Sequence, residues 1–207
     1  MFTGIVQGVG RIRSREPRGG DATYWIETGP VPLAELAIGA SIAVNGACLT
    51  ATRLEPHAFA ADLSRETLAL TTLGGLEPGA RVNIEKALVA GQPLGGHYVT
   101  GHVDGVGHVV SRRDDARSVR VEFEVPEALA RYVARKGSVC VDGVSLTVNG
   151  VAGRRFDVNL VPHTLEVTTL GDLASDRPVN LEVDIIARYL ERMLETAPDA
   201  AGGPARG

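Results

Sequence analysis

The sequence has few of the residues that would indicate a metal-bound, disulfide-bonded or nucleic-acid-binding protein. Among its 207 residues are two cysteines, Cys48 and Cys140, and neither belongs to a Cys-x-x-Cys pair, so we predict no metal site and no disulfide. The formal net charge of −4 provides no basic surface for nucleic acid. No apolar run approaches the roughly 20 residues that a membrane-spanning helix needs. The first five residues lack the basic segment of a signal peptide, and we expect a cytoplasmic protein.

The most informative feature of the sequence is that its second half repeats its first. TGIVQGVG at 3–10 returns as TGHVDGVG at 100–107, NGACLT at 45–50 as DGVSLT at 142–147, and TLALTTLG at 67–74 as TLEVTTLG at 164–171. The separation is 97 residues in all three cases, so the halves share one fold with no net insertion between these blocks. We therefore predict two domains, at 1–97 and 98–183, each large enough for its own core, with two related binding sites.

Short strands and tight turns are predicted in both halves. The apolar runs before Asn45-Gly46 and Asp142-Gly143 lead into two-residue turns that favour β-hairpins, because both residues of such a turn must tolerate positive φ. Residues 119–125 alternate apolar and charged side chains, which indicates a half-buried strand. A proline at a helix-start position also predicts short helices at 32–36 and 126–133.

The end of the second half has no counterpart in the first half. After Asp184, which can cap a helix, five apolar residues recur at helical spacing: Ile186, Tyr189, Leu190, Met193 and Leu194. This spacing predicts an amphipathic helix at 184–196. The apolar face of this helix packs either on its own chain or on copies of itself, and we favour self-association. The composition of residues 197–207 is typical of a disordered tail.

Three pairs of corresponding positions differ in chemical type: Cys48 and Ser145, Ile5 and His102, and Glu66 and His163. Reactive groups placed unequally on an equal scaffold suggest two sites that bind the same molecule but treat it differently. Each residue also has a purely structural interpretation. A lone cysteine is most often a small buried hydrophobe, a histidine in a glycine-rich strand is often a packing residue, and a serine beside a turn or an aspartate at a helix start often only satisfies the backbone.

Five segments together resemble the riboflavin synthase family of the α-chain type: residues 1–6, 45–50, 95–103, 142–147 and 160–165. The resemblance extends from residue 1 to about 194 with its segments in order. It implies an all-β fold of two tandem six-stranded Greek-key barrels from an internal duplication, plus a C-terminal helix that joins three chains into a homotrimer. It also implies no cofactor and no metal, and it admits an association with lumazine synthase.

The reaction of that family is a dismutation of two molecules of 6,7-dimethyl-8-ribityllumazine. One molecule donates a four-carbon unit to the other, and the products are riboflavin and 5-amino-6-ribitylaminouracil. A duplicated chain fits this chemistry, since each barrel would bind one molecule, and in the family the N-terminal barrel of one chain faces the C-terminal barrel of its neighbour. Which barrel holds the donor stays open. The alternative is a non-catalytic antenna protein of the same fold that binds lumazine or flavin.

Motif matching to the family implies two sets of substrate-binding residues. The N-terminal set is Gly4, Ile5, Val6, Ser41, Cys48, Leu49, Thr50, Asp62, Leu63, Ser64, Arg65, Glu66 and Thr67. The C-terminal set is Gly101, His102, Val103, Lys136, Ser145, Leu146, Thr147, Leu160, Val161, Pro162, His163, Thr164 and Leu165. The flat ring of the substrate needs backbone donors and acceptors, and its ribityl chain needs hydroxyl and carboxylate partners.

The candidate catalytic residues implied by the resemblance are His102, Cys48, Ser145, Ser41 and Asp184. His102, grouped by motif with Ser145 and Thr147, is the candidate for proton transfer, because histidine is the usual proton carrier near neutral pH. Cys48, together with Ser41, is the candidate for adding to or polarising the acceptor ring. The added nucleophile is the thiol, a water molecule or a ribityl hydroxyl, and the sequence does not decide between them.

Overall fold

The computed structural model describes residues 1–196, in which twelve antiparallel strands form two closed barrels. The strands of the first barrel are β1 (Gly8–Arg18), β2 (Asp21–Glu27), β3 (Ser41–Val44), β4 (Ala47–Glu55), β5 (Ala58–Leu63) and β6 (Arg81–Lys86). Those of the second are β7 (Gly105–Asp115), β8 (Ser118–Glu124), β9 (Ser138–Val141), β10 (Val144–Ala152), β11 (Arg155–Leu160) and β12 (Pro178–Val183). The tail predicted to be disordered, 197–207, lies outside the described residues.

Both barrels have the same strand order. The first closes as β1-β2-β5-β4-β3-β6, and the second closes as β7-β8-β11-β10-β9-β12. Each barrel encloses its own hydrophobic core, centred on side chains such as Phe59 in the first barrel and Phe123 in the second. The prediction of an all-β fold with two tandem six-stranded barrels is therefore confirmed. Strand β8 alternates between buried and half-buried residues along its length, as its sequence pattern predicted.

The two predicted hairpin turns form as expected and meet back to back between the barrels. Asn45 and Asp142 adopt φ values of 45° and 46°, and the glycines that follow them adopt 79° and 81°. A Cβ atom added to Gly46 would lie 2.8 Å from the backbone nitrogen of Gly143, and the reverse approach is also 2.8 Å. Only glycine therefore fits at the second position of each turn, because the opposing turn fills the space.

Two equivalent asparagines join the barrels around these turns. The side-chain amide of Asn83 donates to the carbonyl of Asp142, and that of Asn180 donates to the carbonyl of Asn45, both at 2.8 Å. Asn83 and Asn180 are each 1% exposed, so these bonds are shielded from water. The reciprocal pattern gives the molecule an approximate two-fold symmetry in which each barrel recognises the other through the same residues.

The short helices differ from the sequence prediction. Residues 32–36 form no helix; a single turn is closed by the Leu36 amide donating to the Leu33 carbonyl. Five residues are too few to stabilise a helix alone, and Leu33 instead packs into the first core. The predicted helix at 126–133 is reduced to α2, Glu127–Ala130, after α1 at Arg65–Leu70. Two further helices follow, α3 at Pro162–Val167 and α4 at Ile185–Glu195.

Helix α4 is the predicted C-terminal helix, and it presents its apolar side to solvent. Its Arg188 pairs with Asp104, and its Glu191 pairs with Arg131 at 2.9 Å, so charged side chains attach it to the second barrel. The apolar residues that face outward are between 57% and 70% exposed: Ile186, Tyr189, Leu190, Met193 and Leu194. No helix among residues 1–196 is long and apolar enough to cross a membrane.

Candidate active site

Each barrel is contacted by the short segment that precedes the other barrel in the sequence. The segment before the second barrel lies on the first barrel, where the Cys48 amide donates to the Gly101 carbonyl at 2.8 Å. The segment before the first barrel lies on the second barrel, where the Ser145 amide donates to the Gly4 carbonyl at 2.7 Å. Val103 accordingly packs against the core of the first barrel, and Val6 packs against the core of the second.

This exchange corrects the grouping that the motifs suggested. Sequence reasoning assigned 4–6 to the N-terminal site and 101–103 to the C-terminal site, whereas the structure places each segment beside the other barrel. His102 therefore lies beside Cys48 in the single chain, and it is not grouped there with Ser145 and Thr147. The physical reason is that each segment precedes one barrel in the sequence but hydrogen-bonds to the other barrel in space, which the order of motifs along the sequence does not reveal. We call the two arrangements the thiol site and the hydroxyl site, after Cys48 and Ser145.

The thiol site is a cavity of about 240 Å³ beside β4 and α1. It is lined by Ala47, Cys48, Ser64, Glu66, Thr67, Leu70, Thr71, Gly101, His102 and Val103. Cys48 is half-buried and forms no disulfide, and His102 is exposed. Ser64 caps α1 by accepting a hydrogen bond from the Thr67 amide at 3.2 Å. The cavity therefore combines a thiol, an imidazole, a carboxylate and hydroxyl groups.

The hydroxyl site contains a residue that sequence reasoning missed. The Nδ1 atom of His97 lies 2.7 Å from the Ser145 hydroxyl, and His97 is only 8% exposed. Burial lowers the pKa of His97, and the nearby Asp184 carboxylate partly opposes this effect. A neutral imidazole can accept a hydrogen bond from the serine and draw its proton away. Nothing in the repeat signals His97, because a position 97 residues earlier does not exist.

The second nitrogen of His97 has no hydrogen-bond partner in the described part of the chain. Its Nε2 atom is buried, and an unpaired buried polar atom costs free energy. Asp184 influences this ring through its charge while its side chain caps α4, accepting from the Ile186 amide at 3.0 Å. The Ser145 hydroxyl therefore contacts the His97 imidazole directly, whereas Asp184 acts on that ring only through its charge.

The ends of the two sites differ where α1 and α3 begin. Val161 takes the position of the capping Ser64 and makes no side-chain cap, and the following Pro162 starts α3. His163 stands at the position equivalent to Glu66, Thr164 corresponds to Thr67, and Leu165 packs on the second core. Glu66 makes this edge of the thiol site acidic, whereas the equivalent position of the second barrel carries an exposed imidazole.

Several predicted binding residues have side chains that lie outside the thiol-site cavity. Four leucines have their side chains in the barrel cores, since alternate residues of a strand point inward: Leu49, Leu63, Leu146 and Leu160. Ser41 pairs with Thr50 across β3 and β4. Asp62 lies apart from Cys48, in a shallow depression with Thr23, whose hydroxyl donates to it at 2.6 Å.

The remaining predicted residues are exposed. Arg65 donates its backbone amide to Asp21 at 2.8 Å, and Thr147 on β10 is open to solvent. Lys136 is exposed as well and adopts a φ of 66°, which residues with a side chain rarely do. Among residues 1–196, no three His, Cys, Asp or Glu side chains lie close enough together to bind a metal ion.

Comparison with known proteins defines first the class and then the family. A family model described as a lumazine binding domain matches residues 3–87 and again residues 100–184, so the chain is a protein with two lumazine-binding domains. Riboflavin synthase of Photobacterium phosphoreum is 44% identical over 194 residues, which cover 94% of this chain and 89% of that protein. Riboflavin synthase of Mycobacterium tuberculosis is 47% identical over 201 residues, covering 95% and 100%. The chain belongs to the riboflavin synthase family.

A solved structure shares the architecture. The crystal structure of LumP complexed with 6,7-dimethyl-8-(1'-D-ribityl) lumazine superposes with a TM-score of 0.78 at 26% identity. The match covers 88% of this chain and 99% of that chain. The likeness therefore spans both barrels.

Proposed function

We propose that the chain catalyses the riboflavin synthase reaction, in which two molecules of 6,7-dimethyl-8-ribityllumazine give riboflavin and 5-amino-6-ribitylaminouracil. The observation that carries this proposal is the pair of equivalent sites with unequal reactive groups, in a chain 47% identical to a riboflavin synthase over 95% of its length. A reaction between two copies of one substrate needs two like sites that treat their ligands differently. A thiol and an exposed imidazole at one site, and a hydroxyl and a buried imidazole at the other, meet this need.

The chemistry needs orientation and proton transfer more than an added reagent. The two products together contain all atoms of the two substrates, so electrons are only redistributed between the rings. The conjugated ring stabilises the anion left when its C7 methyl group loses a proton. Holding two rings in register supplies much of the rate, since well-oriented reactions reach effective molarities of roughly 10⁵ M or more. The protein's own groups then act on protons and on the acceptor ring.

The roles follow from the placement of the polar groups. His102 is exposed beside Cys48, which suits an imidazole that exchanges protons with a bound ring. The half-buried Cys48 is suited to adding to the ring or polarising it. At the other site, the His97 imidazole supports the Ser145 hydroxyl as a donor or acceptor toward the second ring. Ser41 and Asp184 are then supporting groups, one beside Thr50 and one beside His97.

The assembly we propose is a homotrimer in which the thiol site of one chain faces the hydroxyl site of the next. The support is the outward apolar side of α4, formed by residues that would lose contact with water in an oligomer. A surface helix normally turns its apolar side toward its own core, whereas α4 is attached by charged residues instead. The domain limits 1–97 and 98–183, a cytoplasmic location and an association with lumazine synthase stay predictions.

The decisive experiment mixes the purified chain with the lumazine alone, without any cofactor, and follows riboflavin by absorbance and fluorescence. Stoichiometric formation of one riboflavin from two lumazines supports the proposal. An antenna protein would bind the lumazine and leave it unchanged, so binding by itself does not separate the two functions. Tight binding with no riboflavin formed would establish the antenna function and refute catalysis.

A further inference from the structure

Two buried glutamates hold the exchanged segments, and each segment belongs to the glutamate's own half of the chain while lying on the other barrel. The thiol site depends on Glu182 of strand β12. Its Oε1 atom accepts from the amide and the hydroxyl of Thr100, at 2.6 and 2.7 Å, and its Oε2 atom accepts from the Gly101 amide at 2.9 Å. The Thr100 hydroxyl in turn accepts from the His102 amide at 3.3 Å. The Gly101 carbonyl accepts from the Cys48 amide, so two candidate groups are linked to one carboxylate.

The same chain of contacts appears at the hydroxyl site, starting from Glu85 of strand β6. Its Oε1 atom accepts from the amide and hydroxyl of Thr3, both at 2.7 Å, and its Oε2 atom accepts from the Gly4 amide at 3.0 Å. The Thr3 hydroxyl accepts from the Ile5 amide at 3.1 Å. The Gly4 carbonyl accepts from the Ser145 amide. Glu85 and Glu182 are each only 4% exposed.

Each glutamate acts on the site of the barrel to which it does not belong. Glu182 belongs to the second barrel, yet the segment it holds completes the site on the first. Glu85 belongs to the first barrel, yet its segment completes the site on the second. A hydrogen bond to a buried charged acceptor is stronger than one to a neutral acceptor, and its geometry is closely defined. An alternative acceptor for these two amides and the threonine hydroxyl would have to replace three hydrogen bonds at once.

We infer that Glu182 is a positioning residue for the thiol site and Glu85 is a positioning residue for the hydroxyl site, so that each barrel sets the geometry of the ligand site on the other. Neither glutamate lines the thiol-site cavity, although Glu182 lines an adjacent cavity that shares His102 with it, and each glutamate reaches its site through a backbone segment. The inference rests on the proposed function only in taking riboflavin as a ligand of both sites. It predicts that replacing one glutamate disturbs only one site, which is the site on the opposite barrel.

A native thiol allows the crossed effect to be measured in the whole chain. Cys48 is half-buried in the thiol site, whereas Cys140 is 1% exposed and burial raises its pKa well above the ordinary value, so a thiol reagent reports on Cys48. Glu182→Gln should loosen the Gly101 segment, which is hydrogen-bonded to Cys48, and so make the thiol more accessible. We expect the rate of Cys48 alkylation to rise by about tenfold, because losing one hydrogen bond to a charged acceptor shifts an equilibrium by about this factor. Glu85→Gln, its matched control, should leave that rate unchanged.

The reciprocal measurement moves the thiol to the other site. In the double variant Cys48→Ser with Ser145→Cys, the reagent reports on the hydroxyl site, and the order of the two effects should reverse. If both glutamate variants accelerate alkylation equally at both sites, the substitutions loosen the whole structure and the inference is overturned. It is also overturned if neither variant accelerates alkylation at either site. If a glutamate variant does not fold, Thr100→Val and Thr3→Val remove one hydroxyl from each chain of contacts and repeat the comparison with similar side-chain volume.

Riboflavin provides a readout that a merely structural role would not change. Riboflavin bound at a site should protect the thiol of that site. Glu182→Gln should raise the riboflavin concentration needed to protect Cys48, and it should leave the concentration needed to protect the thiol of the Cys48→Ser, Ser145→Cys variant unchanged. Equal changes at both sites would contradict the inference. If riboflavin protects neither thiol while the crossed labelling pattern holds, the positioning roles stand and the assignment of these sites to the ligand fails.

Discussion

The thiol site and the hydroxyl site share one backbone and differ in which groups reach the ligand space. At each site the carbonyl of an exchanged glycine accepts a hydrogen bond from the amide of the second residue after the hairpin turn, at 2.8 Å for Cys48 and 2.7 Å for Ser145. The thiol site then has an exposed histidine, where the hydroxyl site has Ile5. The hydroxyl site has the buried His97, for which the thiol site has no equivalent. Duplication thus preserved the binding geometry, and the chemistry diverged through side chains that leave the backbone undisturbed.

Removing the groups that only the thiol site carries should give the largest effect. We expect Cys48→Ala and His102→Gln each to lower turnover by about 10²-fold or more, the usual contribution of a positioned proton-transfer group, while the fold is unchanged. His108→Gln is the matched control, since His108 is exposed on β7. Steady-state rates and thermal unfolding measure both effects. Unchanged turnover in both variants would refute a catalytic role for these two residues.

A second asymmetry lies at the barrel interface, where Asp142 stands at the position of Asn45. Asp142 is 2% exposed, and burial raises its pKa to about 7. Because the unfolded chain has an aspartate pKa near 4, this group stabilises the fold at low pH, and that contribution is lost as the pH rises from about 4 to about 7. Asp142→Asn should therefore weaken the pH dependence of the free energy of unfolding and raise that free energy at pH 8 by a few kcal/mol.

Denaturant unfolding between pH 4 and pH 8 measures this difference. The control is Asn45→Asp, which places a carboxyl group at the other turn and should steepen the loss of stability with pH. Equal slopes for the parent chain and Asp142→Asn would show that Asp142 stays ionised in the folded state throughout this range.

The buried histidine of the hydroxyl site should give turnover an acid limb. Burial lowers the pKa of His97 and Asp184 raises it, so protonation at low pH removes the acceptor for Ser145 and turnover falls. Asp184→Asn should move this limb to lower pH, because the opposing charge is lost while asparagine still caps α4. The pH dependence of kcat measures the shift. A limb that survives in His97→Gln would have to be assigned to another group.

The smallest expected effect concerns a loop position at which the two halves of the chain carry different residues. Lys136 has a φ of 66°, and its repeat equivalent, Gly39, has a φ of 90°. A left-handed conformation costs a residue with a side chain about 1 kcal/mol. Lys136→Gly should therefore raise the free energy of unfolding by up to about that amount, and Gly39→Ala should lower it. Denaturant midpoints resolve both, and a loss of stability in Lys136→Gly would mean that the lysine side chain makes a compensating contact.

Local sequence signals predicted the barrels well because hairpin turns and alternating strands are decided by neighbouring residues. The turns at Asn45 and Asp142 formed as predicted, and so did strand β8 and the helix after Asp184. The helix predicted at 32–36 was wrong, because burying Leu33 in the core outweighed the weak preference of five residues for a helix.

The sequence by itself determined that there are two equal folds, where their turns lie, and that Cys48 and His102 are placed unequally between them. Only the tertiary structure decided which groups share a site. His97 reaches Ser145 across 48 positions, and Gly101 reaches Cys48 across 53. Such contacts arise from the packing of two barrels around a common interface, where the partner of a polar group is fixed by distance in space and not by order along the chain.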